Sequence, residues 1–97
     1  MIGKLPLAWS QSGLRQLRRG IVFGDRGAIS CFEKAWDVDE EHLNAMAYSD
    51  LSLIHSHFGN KEEHELWNKR LLELAGQESI DSAWITEIET ALDNIVV

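Results

Sequence analysis

Apolar residues in this chain recur three and four positions apart, and no stretch alternates apolar with polar. That spacing is the period of a helix and not of a strand. A first helix is predicted from a cap at Ser10 or Ser12, carrying Leu14, Leu17, Ile21 and Val22 and stopping at Gly24. Asp25 is expected to cap a second helix with Ala28, Ile29, Phe32, Ala35 and Trp36 on one face. The acids Asp37, Asp39, Glu40 and Glu41 suit the start of a third helix, where they meet the positive end of its dipole. That helix carries Leu43, Ala47, Leu51, Ile54 and Phe58 and closes at Gly59. Asn60 with Glu63 reads as a capping box for a fourth helix, whose buried face is His64, Trp67, Leu71, Leu74 and Ala75, with Gly76 as its stop. Ser79 opens a fifth, with Ile80, Trp84, Ile88, Ala91, Leu92 and Ile95.

The predicted fold is all-α. Every connection is short, so neighbouring helices pair as antiparallel hairpins. The reading is one domain over residues 1–97: an extended lead-in over 1–11, a first hairpin over 12–37, a second over 39–76, and a capping helix over 79–97. The lead-in from Met1 to Trp9 has one basic residue and an apolar stretch broken by Pro6, which is not the pattern of a signal peptide. Leu5, Leu7 and Trp9 are expected to cover an end of the core or to dock on a partner, with Trp9 the best candidate for an exposed anchor.

A shift of 35 positions lays Phe23-Gly24-Asp25 on Phe58-Gly59-Asn60, Phe32 on Trp67 and Trp36 on Leu71. A period of this size marks a helical-hairpin repeat. Ala28, Phe32 and Ala35, preceded by the Gly24-Asp25 turn and followed by Glu33-Lys34-Ala35 and the acids to Glu40, resemble the second half of a tetratricopeptide repeat. Leu51, Gly59 and Trp67 with Leu71 fit the same pattern more loosely, and His64 stands where a small residue is usual. The resemblance covers about residues 12–75. It implies a short tetratricopeptide-like array of about two repeats, with the fifth helix as its cap. It also implies a concave face, lined by the first helix of each repeat, that takes a helix or peptide of another protein. In size and layout the chain is similar to the tetratricopeptide-type cytoplasmic chaperones of bacterial type III secretion. Such arrays ordinarily need about three repeats for stability, which points to dimerisation or to a partner completing the core.

Composition narrows the classes. The chain has 97 residues, 44% hydrophobic, with a formal net charge of −7. It is too short of apolar runs for a transmembrane helix. The single Cys31 excludes a disulfide scaffold and fits a reducing, cytoplasmic setting, where the thiol is expected to be a small buried hydrophobe. Charge is uneven. Residues 1–30 hold five basic residues against one acidic, and the remainder holds four against fifteen. The basic first helix offers a docking face for an acidic helix, while the overall charge weighs against nucleic acid.

Catalytic and metal chemistry find little in the sequence. His55 and His57 are two apart on one helix and face different ways, unlike an i, i+4 metal pair, and His42 and His64 add no ligand spacing. Asp50 and His57 lie seven apart on one helix face and read as an ordinary structural contact, while His64 reads as a half-buried packing residue bonded through one nitrogen. No cofactor, metal, membrane or small-molecule substrate is expected. Asp50 lies on the edge of an apolar stripe, either at the solvent boundary or on the concave face.

The expected function is therefore that of a non-enzymatic protein-binding module, a small chaperone or adaptor holding a partner helix or peptide. Its groove is expected to be Leu14, Leu17, Arg18, Ile21, Ala47, Asp50, Leu51 and Ile54 on the first and third helices. The alternatives are a homodimer that buries the same face against its own copy, and a small DNA-binding regulator using Arg15, Arg18 and Arg19.

Overall fold

The computed structural model describes residues 5–39, 45–74 and 81–95. All regular structure among them is helical: α1 (Pro6–Arg18), α2 (Ala28–Asp37), α3 (Ala45–His57), α4 (Lys61–Glu73) and α5 (Ser82–Asp93). The all-α expectation holds. None of these helices is long and apolar enough to cross a membrane. α1 packs along α2 and α3 along α4, α2 lies against α3, and α5 lies on α1 and α3. One core runs through all five elements, with Leu17, Phe32, Leu51, Ile54 and Ile88 fully buried at its centre.

α3 is the central helix because it meets α2, α4 and α5. It is covered nearly all round, from Ala47 and Tyr48 to Ile54 and His55, and Ser49, Asp50 and Ser52 are buried on it. Where neighbours come too close for large side chains, small ones fill the space. A Cβ on Gly13 of α1 would lie 2.7 Å from the Phe32 ring, so the bare glycine lets that ring lie against the α1 backbone.

Several boundaries differ from the sequence reading, each for a local reason. α1 starts at Pro6, not after Ser10, so residues 6–11 are helix and not lead-in. Proline has no N–H to lose in a first turn and its fixed φ suits the helix, so Pro6 begins α1 where it was expected to break the chain. Ser10 is consequently buried inside α1 and caps nothing. α1 ends at Arg18, and its stop is Gly20 rather than Gly24. Gly20 has φ +74°, its N–H donates to the Leu17 carbonyl at 2.9 Å, and the Ile21 N–H donates to the Gln16 carbonyl at 2.9 Å. The same pair of bonds recurs after α3 at Gly59, with φ +74°, where the Asn60 N–H reaches the His55 carbonyl at 2.8 Å. These are Schellman closures, which need the left-handed conformation that glycine adopts without strain.

The start of α2 also differs. Asp25 is exposed and does not cap it; Gly27 is the N-cap, with no side-chain bond. The loop folds back, so the Ala28 and Ile29 N–H groups donate to the carbonyls of Ile21 (2.9 Å) and Val22 (3.1 Å). Backbone acceptors thus satisfy the orphan donors that a side-chain cap serves elsewhere. Asn60 makes no capping bond either, because its side-chain amide is 3.2 Å from His55 Nδ1. α5 is capped by Asp81, which accepts from the Ala83 N–H at 3.0 Å. The expected positions at Glu40, Glu41, His42, Leu43, Ala75, Gly76, Ser79 and Ile80 lie outside the described residues.

The internal echo has a spatial counterpart. Phe23 and Phe58, matched by the 35-residue shift, meet edge to face with ring centroids 5.2 Å apart. Phe32 and Trp67, also matched, are both buried. The fifth helix rests on α1 and α3.

Candidate functional site

The face of α1 and α3 expected to be an open groove is covered. Leu14, Leu17, Ala47, Leu51 and Ile54 are buried core residues, and Asp50 is fully buried among them. Only Arg18 and Ile21 of the eight remain exposed. The cover is α5, whose amphipathic stripe places Ile88, Ala91 and Leu92 in the core and packs Trp84 and Ile95 against it. The six buried side chains are thus brought together, but by a helix of the same chain. The reason is physical: an apolar helix face must bury against another, and among the described residues α5 brings a matching stripe to α1 and α3.

Asp50 is the chemical feature of this face. Trp84 Nε1 donates to Asp50 Oδ1 at 2.9 Å across the α3–α5 contact. Asp50 Oδ2 is buried with no hydrogen-bond partner. Burial pushes the Asp50 carboxyl up to about 7, with the Trp84 bond pulling the other way. Asp50 is therefore neither at the solvent edge nor on an open concave surface. It also does not orient His57, which is exposed and lies against Phe58 at 5.0 Å between ring centroids. The Asp50–Trp84 pair went unseen in the sequence because the two are 34 positions apart and each sits in a separate apolar stripe. At the outer edge of the contact Arg18 pairs with Glu87 at 3.2 Å, with both side chains more than half exposed. Such a pair contributes roughly 0–1 kcal/mol.

His64 and His55 hold neighbouring elements together. His64 Nδ1 lies 2.9 Å from the Ser52 carbonyl, which only accepts, so Nδ1 carries the proton and ties α4 to α3. This matches the expected half-buried histidine bonded through one nitrogen. His55 accepts from Asn60 at Nδ1, and burial lowers its pKa, with Glu63 opposing and His64 adding to the shift. Among the described residues no three His, Cys, Asp or Glu side chains gather as a metal site requires. Cys31 is buried, as a small hydrophobe in α2.

Two open surfaces flank α2. A cleft of about 550 Å³ between α2 and α4 is floored by Trp36 and Trp67, which meet edge to face at 5.5 Å. The Arg70 guanidinium lies 4.6 Å from the Trp67 ring and 5.3 Å from the Trp36 ring, over that floor. Glu33 on its wall is raised in pKa by burial and then by Glu63. On the other side a hollow of about 370 Å³ is lined by Trp9, Arg15, Gln16, Arg19, Arg26 and Lys34, among others. Trp9 is half-buried there with the Lys34 ammonium 4.8 Å above its ring, so it is not a bare anchor.

No family model matches the chain, and no curated protein or solved structure matches it significantly.

Proposed function

We propose that this chain is a non-enzymatic protein-binding module of the adaptor or small-chaperone kind, which receives an amphipathic helix on the α1–α3 face where α5 lies at rest. The observation that carries the reading is the half-satisfied carboxylate beneath α5: Asp50 has one oxygen on Trp84 and the other on nothing. An interface selected for stability alone would set an apolar residue there, because a buried acid without full hydrogen bonding costs several kcal/mol. A seat that holds its own helix with an unfilled acceptor favours a competitor that brings the missing donor. Such a helix would repeat the spacing of Trp84, Ile88 and Leu92, each four apart, and add a basic or amide side chain toward Asp50.

The test is exchange of α5 in trans. A fluorescent peptide of residues 81–95 is titrated with the intact chain and with an Ile88→Asp chain, whose own α5 cannot bury its stripe. The variant is expected to bind the peptide at least tenfold more tightly than the wild type does. A variant that stays helical and binds no better than the wild type overturns the reading. If the variant unfolds, hydrogen exchange on the wild type decides the matter. The α5 amides must then open while α1 to α4 stay protected, and opening only by global unfolding rejects a displaceable helix.

A further inference from the structure

The basic hollow on α1 and α2 lies beside the α1–α5 contact, and Arg15 and Arg19 border both. Arg15 on α1 and Arg19, its C-cap, stand one turn apart, about 6 Å along the helix axis. Arg26 comes from the following loop, and Gln16 Nε2 donates to its carbonyl at 2.6 Å, which ties the loop to α1. Lys34, over the Trp9 ring, forms the opposite wall. Asp25 is the one carboxylate among the lining residues. The chain holds sixteen Asp and Glu, yet the described residues give Arg15, Arg19 and Arg26 no ion pair, whereas Arg18, on the α5 side, pairs with Glu87. Among the described residues three guanidinium groups are gathered without a carboxylate partner. Such groups are pre-organised forks for carboxylate.

We propose that this hollow docks an acidic amphipathic helix of a partner protein. Two carboxylates one turn apart on that helix meet Arg15 and Arg19, a third meets Arg26, and an apolar side chain lies against Trp9. The spacing favours a helix, since residues i and i+4 of a second helix have the same rise as Arg15 and Arg19. The surroundings disfavour a nucleic acid. Beyond residue 30 the chain carries fifteen acidic residues against four basic, so a long polyanion leaving the hollow meets like charge. A short acidic helix ends before it does.

The experiment uses the full chain and a labelled, alanine-based helical peptide with Glu at successive i, i+4 positions and one Leu, alongside the same peptide with Gln for Glu. At 50 mM salt the Glu peptide is expected to bind at least tenfold more tightly than the Gln peptide. The combined Arg15→Gln, Arg19→Gln, Arg26→Gln chain is expected to lose at least tenfold, and a Lys61→Gln, Lys69→Gln chain to lose nothing. The substitutions are on exposed side chains, and a thermal melt confirms that each variant folds. Raising the salt to 300 mM is expected to weaken the wild-type complex several-fold, as screening requires. Equal binding of the Glu and Gln peptides, or a triple variant that binds as the wild type does, overturns the proposal. Tighter binding of a twelve-nucleotide single strand than of the Glu peptide also overturns it, as does salt-sensitive dimerisation through these arginines that the peptide fails to disperse.

Discussion

Replacing Gly27 by Ala is expected to destabilise the fold by about 2–4 kcal/mol, more than its ordinary φ of −78° suggests. A Cβ there would press on the carbonyl oxygen of Val22 and lie 2.6 Å from that of Phe23. Both are backbone atoms, so no rotamer change relieves the clash. The loop would have to lift away from α2, and the bonds from the Ala28 and Ile29 N–H groups to Ile21 and Val22 would go with it. Two helix donors would then be left to poorly placed solvent. Gly24→Ala is the control. Its φ is +89° but nothing lies within 4 Å of the added atom, so it loses only the conformational term, about 1–2 kcal/mol. Urea denaturation of the three chains separates the cases, and melting should fall by about 4–8 °C for each kcal/mol lost. A Gly27→Ala chain no less stable than Gly24→Ala would show that the loop does not cap α2.

That loop also marks where sequence reasoning stopped. The helical period, the number of helices and most of the core were legible, because burial of large apolar side chains at three- and four-residue spacing is a local signal. Phe32, Trp67 and Ile88 lie on the apolar stripes expected of their helices, and they are buried. Caps were less legible, because the acceptors that serve α2 are main-chain carbonyls and carry no residue signature. The echo suggested Gly24 as the partner of Gly59, but Gly20 makes the matching closure. Glycine tolerates either place, and only the bonding around it distinguishes them.

The candidate face is filled by α5 in the resting chain. Seven of its eight residues lie on α1 and α3, with Ile21 past the end of α1, and hairpin spacing alone cannot show which stripe covers them. The stripe of α5 was visible in the sequence, and its docking partner was not. Asp50 was hidden for the same reason. On α3 alone it sits at the edge of an apolar stripe, whereas in the fold it is fully buried and bonded to Trp84. The basic hollow, by contrast, was foreshadowed by the uneven charge, since Arg15 and Arg19 are neighbours on any helix.

Asp50→Asn is expected to remove most of a pH dependence that the wild type carries. The Asp50 carboxyl rises from an ordinary 3.8 to about 7 in the folded chain. Below pH 4 the group is protonated in both states and contributes no slope. Between pH 4 and 7 the folded state holds a proton that the unfolded state has released, so stability falls as pH rises. Above about pH 8 the group is ionised in both states and the full penalty stands. Three pH units correspond to about 4 kcal/mol, a large share of the roughly 5–15 kcal/mol that holds a small domain together. Asn keeps an oxygen for Trp84 Nε1 and has no charge to desolvate. The difference in stability between variant and wild type should therefore grow in favour of Asn from pH 4 to 8 and then level. The difference is the quantity to read, because His55 acts with opposite sign in the same window: its lowered pKa makes stability fall as pH drops. Urea denaturation of both chains at pH 4.5, 6, 7 and 8.5 measures it. Parallel curves would mean that Asp50 does not titrate inside the fold. A widening gap would locate the strain under α5, since Asp50 has only the Trp84 bond there. The wild type would then hold its last helix least firmly when Asp50 is ionised, the state in which a donor from another helix has the most to offer.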